Sequence, residues 1–111
     1  MTNKLIYAAA AVLLAAAMPA STVIAGPSMS SAWLAITIDQ DACVKKGSAT
    51  MKGQNFRTRF EVLGNSSIYG ELGEYTALIR CASEKGIAYF VVSGPKGDTC
   101  SKHMNAMRDD F

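Results

Sequence analysis

The sequence predicts an α+β fold, a small two-layer sandwich in which two helices cover one face of an antiparallel sheet of about four strands. Three observations support this prediction. Residues 75–93 have the pattern of a β-hairpin, residues 56–63 alternate between apolar and charged side chains, and the elements follow the order β-α-β-β-β-α. A strand with one solvated face indicates a sheet that helices cover on one side only.

The first strand is expected at residues 32–38. Its apolar side chains Leu34, Ile36 and Ile38 share one face, which we expect to meet the core. The preceding segment, residues 26–31, is small and polar, and we expect it to lie outside the sheet.

The first helix is expected to begin at Asp41 or Ala42 and to end near Lys52, because Gly53 is a suitable stop. An aspartate at its start can accept hydrogen bonds from the free N–H groups of the first turn, and its charge suits the helix dipole. The face expected to be buried consists of Cys43, Gly47, Thr50 and Met51.

A second strand is expected at residues 56–63, where apolar and charged side chains alternate. The side chains predicted to point inward are Phe56, Thr58, Phe60 and Val62, and those predicted to point outward are Arg57, Arg59 and Glu61. Residues 64–74 contain three glycines and two acids. We expect this segment to be a long loop.

The hairpin that follows is the centre of the predicted sheet. Its strands are expected at 75–81 and 87–93, and Gly86 can take the positive φ that the turn between them needs. After a break at residues 94–97, a final helix is expected to begin with Asp98 or Thr99 as its cap and to continue to about residue 108.

The N-terminus has the three parts of a secretory signal peptide. Lys4 supplies the positive start, a run of alanine and leucine supplies the apolar middle, and small residues precede Ala25. We expect cleavage after Ala25, with Ala20 as the second choice. The apolar run is shorter than the roughly 20 residues that a membrane span needs. We therefore expect residues 1–25 to be a signal peptide, and 26–111 to be a single small domain of a bacterial protein, periplasmic or secreted.

The charge balance limits the kinds of partner. The chain has 11 Lys and Arg residues against 9 Asp and Glu residues, a formal net charge of +2, and they form no basic tract. Neither nucleic-acid binding nor electrostatic membrane binding has support from this pattern. We expect no nucleic-acid partner, no stable membrane insertion and no cofactor.

Three cysteines follow the predicted signal peptide: Cys43, Cys81 and Cys100. An oxidising compartment and a small core both favour a disulfide. We favour a Cys43–Cys81 bridge, because it would pin the first helix to the central hairpin and close a long loop. A Cys81–Cys100 bridge is the alternative. With the favoured bridge, Cys100 would be a buried free thiol or a link in a dimer.

The final helix offers a possible metal site. Its residues Cys100, His103, Met104 and Met107 are spaced so that all four point to one side. A thiolate, an imidazole and two thioethers are soft ligands of the kind that bind Cu(I). The same spacing serves any amphipathic helix that buries its apolar face, and we favour this second interpretation.

Redox or hydrolytic chemistry has less support. Cys43 and Cys100 each fall in the first turn of a predicted helix, where the helix dipole favours a thiolate. No C-x-x-C pair is present, however, and a structural disulfide is favoured. The chain also lacks a G-x-S-x-G elbow and has a single histidine, His103. We expect that the protein is not an enzyme.

The sheet face away from the helices is the remaining candidate site. Arg57, Arg59 and Arg80 are predicted there beside Leu78 and one side of the last strand, and arginine next to apolar side chains is typical of protein-binding surfaces. The preferred hypothesis is a non-enzymatic exported protein, a monomer or weak dimer. It would bind another macromolecule, such as a periplasmic protein, through this face or through residues 64–74. The alternatives are a copper-binding protein that uses the final helix and a thiol-redox protein.

Overall fold

Five antiparallel strands form one sheet in residues 26–111, the part of the chain that the computed structural model describes. The elements in chain order are β1 (Ser28–Ala35), α1 (Gln40–Gly53), β2 (Thr58–Leu63), β3 (Ser67–Leu72), β4 (Tyr75–Ala82), a 3-10 turn (Ser83–Lys85), β5 (Ile87–Gly94) and α2 (Gly97–Asp110). The strand order across the sheet is β1-β5-β4-β3-β2. Residues 1–25, where the signal peptide is predicted, lie outside the described residues.

Both helices pack on the same face of this sheet, which confirms the predicted α+β architecture. Helix α1 lies on β3 and β4, and α2 lies on β1 and β5. Between the layers is a single apolar core whose largest fully buried side chains include Met51, Phe56, Ile68, Ile79, Phe90 and Met107. Neither α1 nor α2 is long and apolar enough to cross a membrane.

Strand β3 is the fifth strand, and it falls in the segment that was predicted to be a loop. Ile68 points into the core and is fully buried. Gly70 also faces inward, where a Cβ atom would collide with the carbonyl oxygen of Phe56 and would lie 3.1 Å from Met51 Cγ. The backbone of β3 therefore lies too close to its neighbours for a side chain at this position. The loop prediction was wrong because a glycine that allows close approach looks like a glycine in a turn.

Strand β1 begins and ends earlier than predicted. It pairs with β5 along its whole length, from Ser28 opposite Gly94 to Ala35 opposite Ile87. Ile36 is already outside the strand, although its N–H still donates to the carbonyl oxygen of Gly86 at 2.9 Å. Pairing with β5 sets these limits, so polar residues at the start of β1 belong to the sheet. The apolar trio of residues 34, 36 and 38 does pack against the core, as predicted.

Helix α1 follows the prediction closely. Asp39 is its N-cap and accepts a hydrogen bond from the N–H of Ala42 at 2.8 Å, which satisfies one of the free donors of the first turn. The predicted inner face is confirmed, since the buried residues of the helix are Cys43, Val44, Gly47, Thr50 and Met51.

Strand β2 departs from the predicted alternation. Phe56 is fully buried but precedes the strand, and Arg59 has a φ of 50° where the pairing with β3 is irregular. This irregularity changes which side chains face the core: Thr58 is exposed, Phe60 is half-buried, and Val62 is 41% exposed. The inward orientation predicted for Thr58 was therefore wrong, since it pairs with Glu71 on the outer side, whereas Val62 shares the inner side of the sheet with Ile68 but is poorly covered there.

The central hairpin is confirmed, and the final helix is present but begins earlier than predicted. Strands β4 and β5 pair in register from Thr76 opposite Ser93 to Ala82 opposite Ile87, and Gly86 between them has a φ of 72°. Helix α2 begins at residue 97 with residue 96 as its N-cap, not at the predicted cap, and that N-cap makes no side-chain capping bond. Asp98 lies within the first turn instead.

A disulfide and the hydrogen bonds of one side chain join the start of α1 to the hairpin. The predicted disulfide joins Cys43 to Cys81, whose Cα atoms lie 6.0 Å apart. The side chain of Gln40 donates to the carbonyl oxygens of Asn65 and Cys81 at 2.8 and 2.9 Å, and it accepts from the N–H of Ser83 at 3.1 Å. The β2–β3 turn, the end of β4 and α1 are thus held together at one point.

Candidate functional site

The candidate site is the face of the sheet opposite the helices, which we call the open face. Side chains alternate across each strand, so the residues that do not meet α1 or α2 point to this face. Its large apolar side chains include Met29, Trp33, Leu63, Leu78, Tyr89 and Val91. Neither helix covers them, and four of them are among the most exposed large apolar side chains of residues 26–111: Met29 at 70%, Trp33 at 62%, Leu63 at 43% and Tyr89 at 39%.

The first six residues of strand β1 have their large side chains on the solvent side and small side chains on the helix side, the reverse of the usual arrangement. Ser28, Ser30 and Ala32 point toward α2, and the hydroxyl oxygen of Ser30 lies 3.1 Å from that of Ser101 on the helix. Small inward side chains let α2 pack close to the strand. Met29 and Trp33 meanwhile point to solvent. Large exposed apolar groups of this kind mark interaction sites more often than scattered surface residues do.

Three side chains of the types most common in binding hot spots form one row across the open face. The register places Trp33 opposite Tyr89 on β5, and Tyr89 opposite Arg80 on β4. Directly opposed residues in an antiparallel sheet have Cβ atoms about 4.5–5.5 Å apart, so these side chains are neighbours. Tryptophan, tyrosine and arginine are the residues enriched where truncation costs the most binding energy. We call these three residues the Trp-Tyr-Arg row.

The three predicted arginines do not form one cluster. Arg80 belongs to the Trp-Tyr-Arg row, and its Nη1 lies 3.5 Å from the hydroxyl oxygen of Ser67. Arg57 lies at the end of α1, where its Nε donates to the carbonyl oxygen of Lys52 at 3.1 Å. The positive charge of Arg57 interacts favourably with the carbonyl end of the helix, so this hydrogen bond is a capping contact.

Arg59 lies near the β2 end of the open face and is engaged there. Its Nη1 is 3.1 Å from Glu71 Oε1, and its side chain is 78% exposed. The hydroxyl of Tyr69 donates to the other oxygen of Glu71 at 2.6 Å. This hydrogen bond to a carboxylate raises the pKa of Tyr69, so the tyrosine remains a neutral donor. The trio makes the β2 end of the face, where Leu63 also lies, more polar than the β1 end with Met29 and Trp33.

The four candidate metal ligands of α2 lie on one side of the helix, as their spacing requires. Cys100, Met104 and Met107 are buried in the core, and the thiol of Cys100 lies 3.7 Å from the carbonyl oxygen of Ser28. Within residues 26–111, no three side chains of histidine, cysteine, aspartate or glutamate come together in a way that could hold a metal ion. Core packing accounts for these three positions.

His103, the fourth candidate ligand, is packed between aromatic rings. Its ring centroid is 5.2 Å from that of Phe56, edge to face, and 5.4 Å from that of Tyr75. Desolvation lowers the pKa of His103, and the charge of Lys102 lowers it further. The copper site stays a prediction, and a Cu(I) titration of the protein and of the His103→Ala variant tests it.

The two candidate reactive thiols are both placed unfavourably for redox exchange. Cys43 is in the disulfide, and Cys100 is the free cysteine of the described chain. Burial raises the pKa of Cys100, and the nearby charge of Asp98 raises it further. The thiolate that exchange chemistry needs is therefore disfavoured at this position.

Two depressions in residues 26–111 are each smaller than a typical small-molecule site. One depression of about 210 Å³ lies between the segment after β1 and the end of α2, and another of about 280 Å³ lies beside Gln40 and Arg80. Sites that enclose a drug-sized ligand usually measure about 300–1,000 Å³. These depressions fall below that range, whereas the open face is wide and apolar.

Sequence reasoning missed the most exposed members of the site, Met29 and Trp33. The start of β1 was predicted to lie outside the sheet, so Met29 was not assigned to a face at all. The signal that could have found them is the alternation of small and large residues in S-M-S-S-A-W from Ser28 to Trp33. Such a strand has its large side chains on one face, and pairing with β5 turns that face toward solvent.

No protein-family model matches the chain, and no curated protein is similar enough to it to be assigned as a relative.

Proposed function

We propose that the protein is a non-enzymatic exported protein that binds another protein through the open face. The observation that carries the proposal is the exposure of Trp33 and Met29 on β1 while the small residues of the same strand face the helices. A large apolar side chain in water costs free energy on the order of 1.5–3 kcal/mol relative to burial. That cost is offset where a partner covers the side chain.

The chemistry of the face favours a protein partner over other classes. The Trp-Tyr-Arg row combines two aromatic rings with one guanidinium, the combination most frequent at the centres of protein interfaces. A nucleic acid would need a basic surface, and the net charge of +2 comes without a basic tract. The arginines on this face are also few, and Arg59 is already paired with Glu71.

The disulfide supports the exported location. Structural disulfides persist in oxidising compartments, and the Cys43–Cys81 bridge fits a periplasmic or secreted protein. The signal peptide predicted for residues 1–25 agrees with that location. The partner is then expected among the proteins of the same compartment or of the surface that encloses it.

Site-specific photo-crosslinking tests the proposal in the cell. Tyr89 is replaced with a photoreactive phenylalanine analogue, and the chain is expressed with its N-terminal segment intact. We expect illumination to join the protein to one dominant protein partner, which mass spectrometry identifies.

The matched control carries the same analogue at Lys102, an exposed position on α2. It is expected to give much less of that product, because the helices lie on the other side of the sheet. Equal cross-linking to the same protein from both positions would contradict the assignment to the open face. So would the absence of any protein adduct at position 89.

A further inference from the structure

The two edges of the sheet differ in their protection against pairing with another strand. Strand β2 forms one edge, and it is short and interrupted at Arg59, where φ is positive and the register shifts. Its side chains include the charged pair Arg59 and Glu61. Charges, short length and local irregularity are the usual features that prevent edge-to-edge association.

Strand β1, at the other edge, has none of these features. It runs for 8 residues, from Ser28 to Ala35, without a charge, a proline or a register shift. Its backbone pairs with β5 on one side only. The N–H and C=O groups on its other side form a regular row along the edge, which is the template that an added strand needs.

We propose that β1 pairs with β1 of a second copy of this chain, antiparallel and about a two-fold axis at Ser31. An uncharged strand can pair with itself because no like charges oppose each other. The two five-stranded sheets would then form one continuous sheet, with both open faces on the same side. The interface is isologous, as two-fold symmetry requires.

The side chains of β1 select this register. With both open faces on one side, residues opposite each other must share a face. An axis at Ser31 then places Met29 opposite Trp33 of the partner subunit, and Trp33 opposite Met29 of the partner subunit. These are the two most exposed large apolar side chains of the described residues. Thioether sulfur packs favourably against aromatic rings, so each copy supplies what the other leaves uncovered.

This inference does not depend on the proposed binding of another protein. The β1–β1 contact uses the backbone edge and packs Met29 and Trp33 side by side across the axis, so the outer surfaces of both remain on the doubled open face beside Tyr89 and Arg80. A dimer without a protein partner, or a partner without a dimer, would separate the two proposals.

Sedimentation equilibrium over a wide concentration range tests the dimer. The protein is purified from cells that express the full chain, alongside the variants Ser31→Lys and Thr58→Lys. Both positions are exposed, so the folded monomer tolerates the change. Ser31→Lys places two ammonium groups together at the axis, and we expect it to raise the dimer dissociation constant at least tenfold. Thr58→Lys adds the same charge at the β2 edge and should leave that constant within twofold of the parent value.

Two outcomes would overturn the proposal: a monomer at every concentration, or a dimer that Ser31→Lys leaves intact. Cysteine cross-linking checks the register separately. Under mild oxidation Ser31→Cys should form a disulfide-linked dimer rapidly, since the two thiols meet at the axis. Ala35→Cys is the control, because this register places it opposite residue 27 of the other copy. Equal rates for the two cysteine variants would contradict the axis at Ser31.

Discussion

His103 makes the stability of the folded protein depend on pH, because its ring is packed in the interface between α2 and the sheet. Its ring lies between Phe56 and Tyr75, and desolvation holds its pKa below the ordinary value of 6.5. The folded state therefore favours the neutral ring. A proton binds more readily to the unfolded chain, so acid shifts the equilibrium toward unfolding.

We predict that the free energy of unfolding is highest above pH 6.5 and falls as the pH drops through 6.5 toward the lowered pKa of the folded state. Denaturant unfolding at a series of pH values between about 7.5 and 5 measures this slope. The His103→Gln variant has no group that titrates at this position, and its slope in the same window should be flatter. Identical slopes for the two proteins would show that His103 is not the group responsible.

The spacing of side chains along α2 predicts which residues share a face, but not what that face contacts. The helical period predicted that Cys100, His103, Met104 and Met107 share one side of α2, and they do. Spacing alone could not tell whether that side meets a metal ion or a sheet. That this side packs against the sheet depends on residues distant in sequence, namely Ser28 on β1, Phe56 before β2 and Tyr75 on β4, and the copper site itself stays a prediction.

At the scale of elements, the Cys43–Cys81 disulfide links α1 covalently to β4. It joins residues that are 38 positions apart, and the chain-entropy model gives about 3–4 kcal/mol for a loop of that length. We predict that the double variant Cys43→Ala, Cys81→Ala unfolds with a free energy lower by about that amount. Reduction of the parent protein should give a similar decrease, and reduction of the double variant should give none. A decrease below about 1 kcal/mol would mean that Gln40 and the core suffice to hold α1.

Strand β3 depends on the absence of a side chain at Gly70. A Cβ atom there would collide with the backbone of Phe56, which cannot move away as a flexible side chain would. We predict that Gly70→Ala destabilises the protein by about 1–3 kcal/mol in denaturant unfolding, the usual range for overpacking. The control is Gly53→Ala at the end of α1, where the nearest atom to a Cβ is 3.5 Å away. Alanine is the better helix former, so this variant should be neutral or slightly more stable. Equal losses in both variants would contradict the close approach at Gly70.

The elements that the sequence predicted correctly are those with a local pattern. The hairpin has an alternating strand in β4, an apolar run in β5 and a glycine in its turn, and α1 has an aspartate cap and a periodic face. The limits of β1 and the existence of β3 depend on partners far along the chain. Ser28 pairs with Gly94, and Gly70 lies against Phe56, so neither contact leaves a local signal.

At the scale of the whole molecule, the asymmetry of the sheet is the main feature. One face is sealed by two helices, and the other has an apolar β1 end and a more polar β2 end. The sequence predicted a solvated face with arginines, and Arg80 lies there. Strand order could not be predicted, because one helix and three strands lie between β1 and its partner β5 in the chain. Without that order, Trp33, Tyr89 and Arg80 could not be recognised as neighbours.

The measurement that tests the binding account most directly is the affinity of the cross-linked partner for the protein and two variants, by titration calorimetry. Tyr89→Ala removes the centre of the Trp-Tyr-Arg row, and Val62→Ala truncates a side chain of similar exposure, 41% against 39%, that opposes the inward-facing Ile68 and so lies off the open face. We predict a loss of about 30-fold, or about 2 kcal/mol, for Tyr89→Ala and a change below about threefold for Val62→Ala. Equal affinities for the parent protein and Tyr89→Ala would contradict the account and move the binding site away from the open face.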